Sequence, residues 1–405
     1  MKRIGDLARV VTGATPKGVN SEHFGDTVPF LTPSDIPGRK RQVRTGRFLS
    51  QAGAMAFKAK LIPKDTPCFV AIGSTIGKTC VTPAQTLTNQ QIHATIPKPS
   101  AADSGFLYYA LTQHAEKMRQ IAGGSATPIL KKSAFEAFEI PAPSLHEQRL
   151  ISQVLGVLDD KVENNRRIAK TLEEIAATLF KARFVDFVDH GDLVESEIGP
   201  VPRGWRVVPM SNAVAINPRV AAIKKGSIAP HVGMSDVPSW GTRPDGRVES
   251  RKYAGGARFD PGDTLMARIT GCIEHGKGAF VDFLDGPGAG STEFLVLRAK
   301  SPLTPEMVFL LSRTPRVREH AIANMSGSSG RQRVQTNAFD HLPIAVPPNS
   351  ETLAEEAGLF QATFRRTQAL WQESRTLAVL RDALLPRLIS GQIRVPADGS
   401  EDSSA

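Results

Sequence analysis

Apolar and polar positions follow two different rhythms along this chain. Short apolar runs bounded by Gly and Pro fill residues 1–142 and again 191–347, whereas 143–190 and 348–395 carry a helical repeat. In the first segment the runs CFVAI (68–72) and KTCV (78–81) flank a Gly-containing turn and predict two strands, with a further strand over 89–96 and a helix over 104–121. In the third segment DTLMARI (263–269) and GAFVDF (278–283) repeat that layout, followed by a strand over 293–298 and helix over 305–324. Such a mixture, rich in Gly and Pro connections, predicts irregular α+β units rather than a doubly wound sheet.

The helical segments are long. Ser144 followed by Glu147 forms a capping box, in which each side chain can satisfy a free backbone N–H at the helix start. Beyond it Ile151, Leu158, Asn165, Leu172 and Leu179 recur every seven residues. Val154, Lys161, Ile168, Ile175 and Ala182 are expected to fill the second column of a coiled-coil seam. Leu155 and Val162 widen the apolar face enough for a second neighbour, and Gly156 costs about 1 kcal/mol relative to Ala. The segment 350–390 places Phe360, Phe364, Leu370, Trp371, Leu377, Leu384 and Leu388 on a broader apolar face. Each helix would span roughly 60 Å, and the two could pair as a spacer.

The chain also repeats itself. Ser34-Asp35-Ile36-Pro37 returns as Ser235-Asp236-Val237-Pro238, and Pro63-Lys64-Asp65-Thr66 as Pro261-Gly262-Asp263-Thr264. Gly77-Lys78 returns as Gly276-Lys277, and Ala134-Phe135-Glu136 as Ala338-Phe339-Asp340. Four matches in one order, offset by about 200 residues, predict a duplicated unit: a globular segment, then a helix.

Charge sharpens this picture. The net charge of +10 over 405 residues is carried by 1–140, with 18 Lys/Arg against 9 Asp/Glu, and by 191–347, with 19 against 15. The helical segments are near neutral, as if two polyanion-binding modules were joined by parts with another task. Three scattered cysteines argue against a disulfide framework or structural zinc, and no apolar run is long enough to span a bilayer. The sequence reads as a cytosolic chain that binds no membrane.

Candidate chemistry is mostly non-catalytic. Gly73-Ser74-Thr75-Ile76-Gly77-Lys78-Thr79 resembles a phosphate loop but has three residues between its glycines where four are needed; the copy at Gly271 to Lys277 has four, but Gly278 replaces the Ser or Thr that would hold magnesium. A nucleotide-dependent enzyme with a coiled-coil arm is therefore the distant alternative. No glycine-rich loop follows a strand, the histidines lack metal-ligand spacing, and Asn217-Pro218 is followed by Arg219 rather than an aromatic ring. The basic clusters are better candidates, for DNA. They comprise Arg39, Lys40, Arg41, Arg44 and Arg47 in the first copy and Arg243, Arg247, Arg251 and Lys252, near Trp240, in the second. Lys78, Lys131 and Lys132, and their counterparts Lys277, Arg331 and Arg333, stand beside Gly-containing turns where a backbone can approach a phosphate. Asn89 and Gln90 offer amides that could read adenine.

Specific motifs then carry a resemblance. Leu145-His146-Glu147-Gln148-Arg149 at the helix start, Leu158-Asp159-Asp160-Lys161, Asn164-Asn165-Arg166-Arg167, Leu179-Phe180-Lys181 and the run Arg381 to Gly391 are similar to specificity subunits of type I restriction-modification enzymes. The resemblance covers nearly the whole chain. It implies two similar target-recognition domains (1–142 and 191–347), each reading half of a bipartite double-stranded DNA site. Two long antiparallel helices, within 143–190 and 348–395, would separate them as a coiled coil with pseudo-twofold symmetry, and 396–405 would form a disordered tail. It implies a non-catalytic subunit that binds no cofactor itself. Methyltransferase subunits would carry S-adenosylmethionine and motor-nuclease subunits ATP and Mg2+, with Glu147, Gln148, Arg149, Leu155, Val162 and Leu384 as candidate partner contacts. Service to another modification enzyme is the near alternative. Ser350-Glu351-Thr352-Leu353 departs from the pattern by lacking the Gln and Arg that follow Glu147.

Overall fold

The computed structural model describes residues 1–16, 21–36, 41–123, 127–188, 190–244, 248–328 and 330–396. Arg39, Lys40 and Arg247 lie outside these residues, as does the expected tail from 397 onward.

The chain divides into two units, Met1–Glu163 with Thr376–Ala405, and Asn164–Arg375. Each holds two four-stranded sheets. In the first unit one sheet has the order Ala8–Thr12, Ile92–Pro97, Pro67–Val70, Thr79–Val81, antiparallel throughout. Its counterpart in the second unit runs Val214–Ile216, Phe294–Ala299, Thr264–Ala267, Gly278–Phe280, also antiparallel. The other sheets share a three-strand kernel with one parallel pair: Arg47–Leu49, Val28–Leu31, Leu87–Thr88 in the first unit and Glu249–Lys252, Ile228–Val232, Gly288–Gly290 in the second. A fourth strand is added at opposite edges, Phe24–Gly25 beside Arg47–Leu49 but Ala257–Phe259 beside Gly288–Gly290. The repeated motifs occupy matching places. Asp35 accepts from Thr32 N at 2.8 Å as Asp236 does from Gly233 N at 2.6 Å, and Phe135 and Phe339 are both fully buried.

The two long helices are Leu145–Phe184 and Ala354–Ile389. Within each unit their segments pack antiparallel. In the first, Ile151 and Leu155 share a core with Leu385, Leu388 and Ile389 beneath the helix Ser104–Gln120. In the second, Ala176, Phe180 and Phe184 join Phe360 and Phe364. The buried second column of the first helix is Leu155, Val162 and Ala176, not the column through Ile168 and Ile175, which are 36% and 50% exposed. Alanine at 176 lets a neighbour approach more closely than isoleucine would, which moves the seam one position along. Gly156 also leaves room for Arg41, whose Nη1 would lie 3.0 Å from an added Cβ. Among the described residues no helix is long and apolar enough to cross a membrane.

Candidate nucleic-acid interface

Backbone pairing brings three loops together in each unit. In the first, the turn around Gly73–Lys78 joins the segment before Lys131 through Gly73 N to Pro128 O (3.0 Å) and Leu130 N to Ala71 O (2.8 Å). The Asn89–Gln91 loop completes the group, as Ala71 N donates to Gln91 O at 2.7 Å. In the second unit Thr270 N donates to Gln332 O at 3.0 Å, Val334 N to Arg268 O at 2.8 Å, and Arg268 N to Glu293 O at 2.9 Å. So the loops that carry Lys78, Gln90, Lys131 and Lys132 lie side by side, and Lys277, Arg331 and Arg333 occupy the corresponding loops of the other unit. The residue after each turn enters a strand, Thr79–Val81 or Gly278–Phe280, so no helix N-terminus faces the turn as a nucleotide-binding loop requires.

The side chains divide by exposure. Arg44, Lys131, Arg331 and Gln90 are exposed, and Gln90 accepts from the Thr15 hydroxyl. Lys132 is exposed but sits 3.5 Å from Glu136. Lys78 and Arg41 are half-buried, and Arg41 lies 3.4 Å from Asp160 of the long helix. Four expected DNA contacts have other work. Arg243 is buried, donating through Nε to Asp282 Oδ1 (2.7 Å), through Nη1 to Thr367 Oγ1 (3.0 Å) and through Nη2 to Phe364 O (3.0 Å). Burial pushes Asp282 and the neighbouring Glu173 above the usual carboxylate range, with Arg243 pulling both the other way. Lys277 Nζ donates to Met234 O at 2.9 Å. Arg333 forms a fork on Glu293, with contacts of 2.7 to 3.1 Å that hold the Glu293 carboxyl below its ordinary range. Asn89 is buried and its amide donates to Gln91 Oε1 at 2.9 Å, so it shapes its own loop.

The expected partner contacts are also sorted by the structure. Glu147 closes the capping box, accepting from Ser144 N at 3.0 Å and Ser144 Oγ at 2.9 Å, which lowers its pKa. Gln148 is buried, donating to Ala101 O (3.1 Å) and Pro143 O (3.0 Å) and accepting from Asp103 N (3.0 Å), so it clamps the helix start onto its own unit. Leu155 and Val162 are buried inside the chain and Leu384 is half-buried; Arg149 is exposed.

Some surface cations were not singled out from the sequence. Arg258 and Arg268 line an open cleft of about 330 Å³ with Asn217 and Thr292. Neither stands in a basic cluster of the sequence. Arg47, which does, lies 5.1 Å from the Phe30 ring centroid. No group of three or more His, Cys, Asp or Glu among the described residues could hold a metal ion.

The type I restriction modification DNA specificity domain profile matches residues 1–174. Over that stretch the chain is similar to specificity proteins of type I restriction-modification systems. Over 241 residues it is 31% identical to the type I restriction enzyme MjaIX specificity subunit of Methanocaldococcus jannaschii, covering 57% of this chain and 53% of that protein. It is 33% identical over 174 residues to the HindI specificity subunit of Haemophilus influenzae, covering 41% and 38%. The matched stretch thus spans about half the length of these curated relatives, or less. The crystal structure of a type I restriction-modification system S subunit from M. genitalium has the same fold, with a TM-score of 0.59 over 96% of this chain and 95% of that one at 14% identity. The specificity-domain match ends before the second loop cluster, yet residues 214–299 repeat the strand order of the first sheet.

Proposed function

We propose that the chain is the DNA-recognition subunit of a prokaryotic, cytoplasmic type I restriction-modification complex and does no chemistry itself. The observation that carries this reading is the recurrence of one three-loop arrangement, joined by the same backbone pairings, in two units of a single chain. Each cluster would read one half of a bipartite duplex site, side chains contacting base edges and the flanking cations fixing register on phosphates. The long helices would set the spacer between half-sites and dock methyltransferase subunits, which bind S-adenosylmethionine. Motor-nuclease subunits would bring ATP and Mg2+.

The test is an exchange. Residues 197–347 are replaced by the equivalent segment of a related chain, and methylated adenines are mapped in a host carrying the methyltransferase subunits. One half of the methylated sequence should change, while the other half and the spacer stay. Both halves changing together, a shifted spacer, or methyl transfer by the purified chain alone would overturn the reading.

A further inference from the structure

In the second unit, Ser239 and Trp240 form an exposed tip on a loop whose flanks are sealed: Val237, Thr242 and Arg243 are all buried. The ring is 58% exposed, while Trp205 and Trp371 are half-buried. It is held unusually firmly for a surface side chain. Trp240 N donates to Gly276 O at 3.2 Å and Phe280 N to Thr242 O at 2.8 Å, tying the loop to the strand beside the Gly276-Lys277 turn. Arg313 fastens the same junction, donating through Nη1 to Gly276 O (2.6 Å) and through Nη2 to Gly241 O (2.5 Å). The indole lies directly over Gly276, where a Cβ would come within 2.5 Å of it, and the Arg318 guanidinium stands 4.5 Å from its centroid.

Two features are unexplained by folding alone. Trp240 has φ 58°, a left-handed conformation that disfavours bulky side chains, held so as to present an apolar ring to water. Arg318 is 5% exposed, yet one of its terminal nitrogens has no hydrogen-bond acceptor among the described residues. An aromatic face backed by a cation and fixed before binding is what stacking against a nucleobase needs, because little freedom is lost on contact. A protein partner would equally cover an apolar ring, but the Arg318 guanidinium behind this one favours an anionic ligand.

We infer that Trp240 is a specificity-determining stacking residue of the second unit, wedged against a base step of the half-site that unit reads. This rests on the DNA-recognition reading above. The corresponding place in the first unit is the Arg39 segment, where the sequence has no aromatic residue. Stacking of this kind therefore belongs to one half-site.

The test uses the full chain and a duplex bearing the methylated sequence mapped by the exchange experiment. Trp240→Ala should weaken binding about tenfold, and Trp240→Phe, which keeps a flat ring, less than about threefold. Wild-type emission should lose acrylamide accessibility on duplex binding, and Trp240→Phe should abolish that change. If the wild-type chain ignores the duplex, the DNA-recognition reading falls, and this inference with it. If it binds but Trp240→Ala binds equally well, or the ring stays open to acrylamide in the complex, only the inference falls. Shielding of Trp240 by methyltransferase subunits without DNA would assign the ring to a protein contact and overturn it. Should Trp240→Ala not fold, as read by circular dichroism, the Phe variant and the protection measurement decide alone.

Discussion

A guanidinium sealed inside a protein needs acceptors for its donors, and Arg243 finds them on a carboxylate, a hydroxyl and a main-chain carbonyl. Removing it leaves Asp282 and Glu173 buried without their counter-charge. Arg243→Ala should therefore destabilise the second unit by roughly 3–5 kcal/mol in urea denaturation. A phosphate-contacting arginine would instead lower the salt slope of DNA binding by about one, and no such drop is expected here. A second residue-scale effect concerns His93. Its ring nitrogens lie 3.1 Å from Thr12 Oγ1 and 3.0 Å from Leu130 O, and burial lowers its pKa. Because the folded pKa is below the unfolded value of about 6.5, the unfolded chain binds more protons in that window. Stability of the first unit should thus be complete above about pH 6.5 and fall as pH drops below it. His93→Gln, which cannot charge, should flatten that fall in melts at pH 5 and 7.5. Sequence composition located Arg243 and Lys277 correctly in basic stretches. It could not tell a solvated cation from one consumed by Asp282 or by the Met234 carbonyl, because those acceptors lie tens of residues away.

Helix existence was legible, since a capping box and a seven-residue repeat are local signals, but the helices stop at Phe184 and start at Ala354, inside the segments expected. The column that packs was not legible. Hydrophobicity favours Ile168 and Ile175, but burial falls on Leu155, Val162 and Ala176, because seam choice depends on what the helix meets. The outcome separates cleanly by substitution. Leu155→Ala should cost roughly 2–5 kcal/mol through cavity formation, whereas Ile175→Ala should shift stability by less than about 0.5 kcal/mol. Thermal melts of the two variants check this. A polar cluster adds to the same packing: Tyr109 donates to Asp159 Oδ2 at 2.7 Å, and Arg381 of the other long helix donates to Asp159 Oδ1 at 2.5 Å. Arg381 belongs to the C-terminal run that carried the resemblance, and here it ties that run to the first long helix.

The duplication was legible at the scale of the whole chain, because four short motifs kept their order. Its imperfections were legible in part: the glycine spacing already shows the longer second turn, which is why the strands Pro67–Val70 and Thr264–Ala267 align at a different offset from the strands Thr79–Val81 and Gly278–Phe280. The repeat did not reveal that the first unit is discontinuous, completed by residues from Thr376 onward. Leu385, Leu388 and Ile389 are core residues of that unit. Ending the chain after residue 375 should therefore loosen the strands at 8–97, read as faster amide exchange there. The same feature orders events on the ribosome. Residues 164–375 must be synthesised between the two parts of the first unit, a delay of roughly 10–40 s at ordinary elongation rates. The second unit, although its residues start later, is the first whose residues have all been made, and the unit that starts earlier closes last.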